Sequence, residues 1–89
     1  MKRSEVYNRI DQERAYQHKR WEEYRTGIDK SDAEKDVATW IIYMEKHIAE
    51  AKENLYSLHE HHALSSIRKV VALGVACMEI HGCPERINP

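Results

Sequence analysis

The chain reads as all-α: an N-terminal helix followed by an antiparallel helical hairpin, assembling with other subunits into an oligomeric helical bundle. Three observations predict this. Only three glycines and two prolines occur in 89 residues; Gly27, Gly82 and Pro84 mark segment ends, and nothing between them suggests a strand. Val37, Ile41, Met44, Ile48, Ala51, Leu55 and Leu58 alternate by four and three, a seam of coiled-coil type held for about three heptads. The stretch 70–78 has no polar side chain, in a chain that is 33% charged. A helix apolar on every side is buried on every side, and the other apolar residues are too few to wrap it. This segment is therefore expected at the centre of a bundle of at least two subunits.

The first helix is predicted over residues 4–25, with Ser4 as N-cap and Gly27 just past its end. Its apolar positions (Val6, Ile10, Trp21, Tyr24) are sparse, so it lies on the outside of the bundle or forms an arm. The second helix, 32–58, opens on a capping box in which Ser31 is the N-cap and Glu34 reaches back. Trp40 widens its apolar seam on one flank. The polar knot of His59, Glu60, His61 and His62 is expected to turn the chain, because an unbroken helix of roughly 50 residues is rare in a small domain. The third helix, 63–81, then folds back on the second. Gly74 in its middle costs about 1 kcal/mol against alanine, and its expected use is to let another helix approach closely.

Residues 1–89 make one small domain whose own core is marginal, a size at which oligomerisation is a common remedy. A formal net charge of −1 gives no field that would attract nucleic acid or an anionic membrane. No apolar run approaches the roughly 20 residues needed to span a bilayer. The opening residues lack the apolar core of a signal peptide. Two cysteines, Cys77 and Cys83, do not make a disulfide framework, so the cytoplasm is the expected compartment.

Arg68 and Lys69 stand near the start of the apolar helix, where backbone donors and basic side chains together suit phosphate. The competing reading of this pair is a salt bridge to a glutamate on the second helix. The histidines around 59–62, with Cys77, His81 and Cys83, contain no C-x-x-C or H-x-x-x-H pair, so zinc is not expected. Cys77 reads as a small core residue, and His81 suits its helix's C-terminal carbonyls. For Cys83 no oriented base or oxyanion hole is evident.

Three passages carry a resemblance. Glu13, Arg14, Gln17 and Trp21 form an E-R-x-x-Q-x-x-x-W pattern; Trp40 leads a glutamate-rich helix; and Arg68 opens an apolar helix that continues to Glu79 and Gly82. In order and spacing these resemble small, often phage-encoded proteins related to MazG-like nucleoside triphosphate pyrophosphatases. The resemblance spans about half of the chain and implies an all-α fold acting on a nucleoside triphosphate or related nucleotide. It implies that Arg14, Gln17 and Trp21 line one side of the nucleotide, with Trp21 stacking on a base or else serving as core. It also implies magnesium, held by E-x-x-E on one helix and E-x-x-D on the next; carboxylates three apart share a helix face and suit this hard cation.

Carried over by register from Trp40, the first acidic pair falls on His47 and Glu50, while a literal E-x-x-E occurs one turn later at Glu50 and Glu53. Opposite the second pair stand Lys69 and Ala72, and no acid occurs between Glu60 and Glu79. Glu50 and Glu53 are thus the candidate magnesium ligands of an incomplete cage, or an ordinary solvated face. Two functions compete. One is a nucleotide-binding protein, a pyrophosphatase or a catalytically degenerate one. The other is a non-enzymatic oligomer of phage type, in the host cytoplasm, that sequesters a nucleotide signal or inhibits a host protein.

Overall fold

The computed structural model describes residues 1–24 and 32–87. Arg25, Gly27 and Ser31, named above as helix end and caps, lie outside the described residues. Three helices follow in order: α1 (Arg3–Tyr24), α2 (Val37–Tyr56) and α3 (Glu60–His81), with a short 3₁₀ turn at Asp32–Glu34 ahead of α2. No strand occurs among the described residues, so the chain is all-helical.

The helix ends differ from the sequence reading for local reasons. α1 begins at Arg3, so Ser4 lies inside its first turn, and the Lys2 carbonyl accepts from the Glu5 and Val6 amides. α2 starts at Val37, not at 32, because Asp36 is its N-cap: the carboxylate accepts from the Thr39 amide at 2.8 Å and from the Thr39 hydroxyl at 2.6 Å. α2 ends at Tyr56 in a Schellman motif. The His59 amide donates to the Asn54 carbonyl at 2.7 Å and the Leu58 amide to the Leu55 carbonyl at 3.1 Å. Leu58 occupies the left-handed position (φ 62°) where glycine is usual. The turn therefore falls at 57–59, and His61 and His62 belong to the first turn of α3. At its other end α3 stops where expected, at Gly82 (φ 99°), whose amide donates to the Met78 carbonyl.

α3 is the central element: α1 packs on it and α2 packs on it, while α1 and α2 meet through side chains, Trp21 against Trp40. The core is small. Trp40 (0% exposed), Leu73, Ala76 and Cys77 are buried together, with Trp21, Met44 and Ile80 packed around them. Trp40 is thus the centre of the α2 contact rather than its flank. The expectation that 70–78 is buried on every side holds for two sides. Ala72, Leu73, Ala76 and Cys77 are covered, whereas Val71 and Met78 remain exposed, because one chain supplies only two neighbours for α3. The α2 seam divides likewise: Met44 and Ala51 are half-buried, and Val37, Ile41, Ile48 and Leu55 are exposed. Gly74 is not required by a close helix approach within the chain, since an added Cβ would meet the Met44 sulfur at an ordinary 3.8 Å. Among the described residues no helix is long and apolar enough to cross a membrane.

Candidate functional site

α1 carries few apolar residues, and it docks on α3 through polar ones. Glu13, 9% exposed, accepts from the Arg68 Nε at 2.7 Å. Its neighbour Arg14 donates through Nε and Nη2 to the two carboxylate oxygens of Glu79, both at 3.2 Å. Arg68 and Glu79 are eleven positions apart, about 16 Å along a helix axis, so adjacent residues of α1 reach both ways along α3. One turn on, Gln17 (7% exposed) donates from Nε2 to the Lys69 carbonyl at 3.3 Å. Gln17 stands four positions from Glu13 and three from Arg14, each pair neighbours on the helix surface, which is why the E-R-x-x-Q spacing brings all three to α3. Trp21, a turn further, packs on Trp40 with ring centroids 5.7 Å apart.

These bonds decide what is engaged and what is left over. Arg68, expected to hold phosphate or to pair with the second helix, pairs instead with Glu13 of α1. Glu53 forms no ion pair among the described residues, so it does not serve as the second-helix glutamate of that competing reading. Lys69 is half-buried, and among the described residues its ammonium has neither a hydrogen bond nor an ion pair within 4 Å. It nevertheless acts on Glu50 across the α2–α3 seam. The Glu50 carboxyl is held below its ordinary value of 4.5, first by its hydrogen bond from His47, against some burial, and further by the charges of His47, Lys69 and Lys46. His47 Nδ1 lies 2.8 Å from Glu50 Oε2, one helical turn away on the same face.

Gln17 adds a second unfilled group. Its amide nitrogen is fixed by the Lys69 carbonyl, which can only accept, so the oxygen's place is fixed too. That oxygen, Oε1, is buried and has no partner among the described residues. An unpaired buried acceptor costs about 1–3 kcal/mol, a cost that a ligand donor would remove. Gln17 thus reaches the backbone of Lys69, while the Lys69 side chain acts on Glu50 of α2.

The donor set does not suit magnesium. This ion wants near-octahedral oxygen ligands and dehydrates reluctantly. Glu50 is already bonded to His47 and is approached by two ammonium groups, while Glu53 lies exposed one turn on. Among the described residues no group of three or more His, Cys, Asp and Glu side chains is placed to hold a metal ion. His62 has its ring 5.5 Å from that of His59 and 6.3 Å from that of His61, edge to face in both cases, at the exposed tip of the molecule.

One turn beyond Gln17, at Trp21, Lys35 is buried to 9% exposure with its ammonium over three rings: 4.2 Å from Trp21, 5.2 Å from Trp40 and 5.5 Å from Tyr43. Its carbonyl lies 2.8 Å from His81 Nε2, so His81 reaches across to the segment before α2 rather than back to its own helix end. Cys77 is buried and Cys83 exposed. Sequence reading missed Lys35 and the pairing role of Glu13. Glu13 stood inside the quoted pattern, but Lys35 lies outside any helical period and gave no signal.

The described residues thus define a small three-helix chain in which the Lys69 ammonium, acting on a His47–Glu50 pair, and the Gln17 amide oxygen have no partner among those residues. In comparisons with family models, curated proteins and solved structures, the chain matches none.

Proposed function

We propose that the chain is a nucleotide-binding protein of MazG-like kind, working in the cytoplasm as a homo-oligomer, with the catalytic acid set of a pyrophosphatase incomplete. The observation that carries this reading is Lys69. Lys69 is half-buried along its length, and among the described residues its ammonium has no ion pair; a phosphate group would supply the counter-charge. The unpartnered Gln17 oxygen, on an amide anchored to the Lys69 carbonyl, suits a donor such as a hydroxyl or exocyclic amine. Arg14 is engaged by Glu79, and Trp21 by Trp40 and Lys35, so in this reading they shape the site's wall rather than take the phosphates. The test is a panel of ribo- and deoxyribonucleoside di- and triphosphates, assayed for binding by calorimetry and for turnover by pyrophosphate release. Binding without release supports the degenerate form, and release makes the protein an enzyme. Neither across the whole panel refutes the reading.

The oligomer rests on a second observation. Ile41, Ile48 and Leu55 on α2, and Leu64, Val71 and Met78 on α3, each recur at intervals of seven and are left 43–60% exposed. As α2 numbers rise, the α3 partners fall: Trp40 clusters with Cys77, Met44 faces Gly74 and Glu50 is acted on by Lys69. That order supports an antiparallel hairpin, in which the six side chains pair as three rungs of one stripe. A second copy laid on this stripe would cover the open side of α3 and complete a bundle. Light scattering should give at least a dimer, and Ile48→Glu should give a monomer. A monomeric wild type at 100 µM, a concentration far above about 1 µM affinity, would remove the second copy as occupant. A host protein recovered on the stripe from infected cells would favour the alternative of inhibition by binding.

A further inference from the structure

The resemblance implies magnesium, yet the residues in its place are cationic. Glu50 is the one carboxylate retained by register, and it is bonded to His47. Where the second acidic pair would stand, α3 presents Lys69, and Lys46 adds a further positive charge next to Glu50 on α2. Two lysines against one carboxylate leave the cluster net positive before histidine is counted. A divalent cation entering it would be repelled by both ammonium groups and would have to displace the His47 bond. A polyphosphate entering it meets the ammonium of half-buried Lys69, which has no partner among the described residues, and that of exposed Lys46.

We propose that Lys69, assisted by Lys46, replaces magnesium as the phosphate-holding charge, so that this chain binds a nucleoside polyphosphate directly and without a metal. The inference rests on the nucleotide reading above and deepens it by naming the charge that does the holding. It also accounts for binding without turnover. An ammonium neutralises phosphate charge but, unlike a metal, does not lower the pKa of a bound water to generate a nucleophile near neutral pH. Glu50 then acts as a counter-charge that moderates affinity, held in place by His47.

Calorimetry with inorganic tripolyphosphate and with ATP, each in excess EDTA and in excess magnesium chloride, tests this. The expected result is binding in EDTA that weakens in magnesium, because magnesium complexed to the polyphosphate cancels the charge that Lys69 reads. Lys69→Met should lower affinity about 10-fold to 100-fold, the scale of one charge-assisted hydrogen bond, whereas Lys69→Arg should retain most of it. Glu50→Gln should bind more tightly than wild type. Melting temperatures of Lys69→Met and Lys69→Arg within a few degrees of wild type would show that the loss is not unfolding. Should Lys69→Met unfold, Lys46→Met on the exposed face and the EDTA comparison still decide. Binding that appears only with magnesium, or that is indifferent to both lysines, overturns the inference and leaves the nucleotide reading standing. Absence of binding under both conditions overturns both.

Discussion

The Glu13–Arg68 pair separates a structural role for Arg68 from a ligand-binding one. Glu13 has a side chain 8% exposed, and Arg68 one 41% exposed, at 2.7 Å. Removing the arginine leaves a carboxylate buried and unpaired, which costs about 3–5 kcal/mol when both partners are inside. Here water reaches Arg68, and surface pairs contribute ~0–1 kcal/mol, so the cost should fall between, at about 2 kcal/mol. For a domain of this size that is a fall of roughly 8–16 °C in melting temperature. Glu13→Gln should cost less, about 1 kcal/mol, since the amide oxygen still accepts from Nε. In the double variant Glu13→Gln with Arg68→Met no buried charge remains, so its loss should be smaller than the sum of the singles. The coupling should be at least ~0.5 kcal/mol, the threshold for residues in contact. The assay is thermal and urea unfolding of all four proteins at one protomer concentration, because an oligomer's melting point moves with concentration. A melting temperature for Arg68→Met within 2 °C of wild type, with additive singles, would refute the argument that this pair docks α1 on α3. Arg68 would then be free for a ligand after all.

Leu58 sits at φ 62° in the α2–α3 turn and is 90% exposed; Leu58→Gly relieves the left-handed strain of about 1–2 kcal/mol, partly offset by glycine's entropy, and should raise the melting temperature. Lys35→Met keeps the stem but deletes the charge over Trp21 and Trp40, so a loss of about 1–2 kcal/mol with changed tryptophan fluorescence is expected; an unchanged melting point and spectrum would mean that the stem's packing, not its charge, matters. Glu50 has its folded pKa depressed, chiefly by His47, so it contributes stability that is present above 4.5 and lost as pH falls through the lower folded value. Glu50→Gln should therefore melt slightly below wild type at pH 7, the gap closing below pH 4.5; the effect is small because the side chain is 38% exposed, and a gap that persists into strong acid refutes the assignment. Gly74→Ala should be neutral or stabilising by up to about 1 kcal/mol, since its Cβ has room beside Met44; a large loss of stability in the oligomer alone would instead place a second chain's helix against Gly74.

How far the sequence could be read depended on whether a feature was written in local pattern or in partnership. The three helices were legible because periodicity and the Gly82 stop are local signals. The α2–α3 turn was misplaced because its left-handed position carries Leu58 instead of glycine, so the loudest polar cluster nearby, at 59–62, drew the break two residues late. The capping box was legible as a pattern, yet Asp36 and Thr39, five residues further on, make the bonds that start α2. The site shows the same division. That Glu13, Arg14 and Gln17 share a face followed from their spacing, but their targets (Arg68, Glu79 and a backbone carbonyl) are 52 to 65 residues away and no periodicity names them.

This changes what the charged residues mean. From the sequence, Arg68 and Lys69 are an equivalent basic pair at a helix mouth. In the fold they diverge, because successive helical positions point about 100° apart. Arg68 turns toward α1 and is neutralised by Glu13, whereas Lys69 turns toward α2, where His47 has already engaged the carboxylate that would otherwise pair with it. Among the described residues Lys69 is the one of the two whose ammonium has no partner, and α1 makes the distinction. By taking up Arg68 and holding the Lys69 backbone through Gln17, α1 leaves Lys69 as the member of the pair whose ammonium has no partner among the described residues. On the nucleotide-binding proposal, an α1-undocking variant such as Glu13→Gln with Arg68→Met should weaken nucleotide affinity measured by calorimetry, and unchanged affinity would refute a part for α1 in shaping that site.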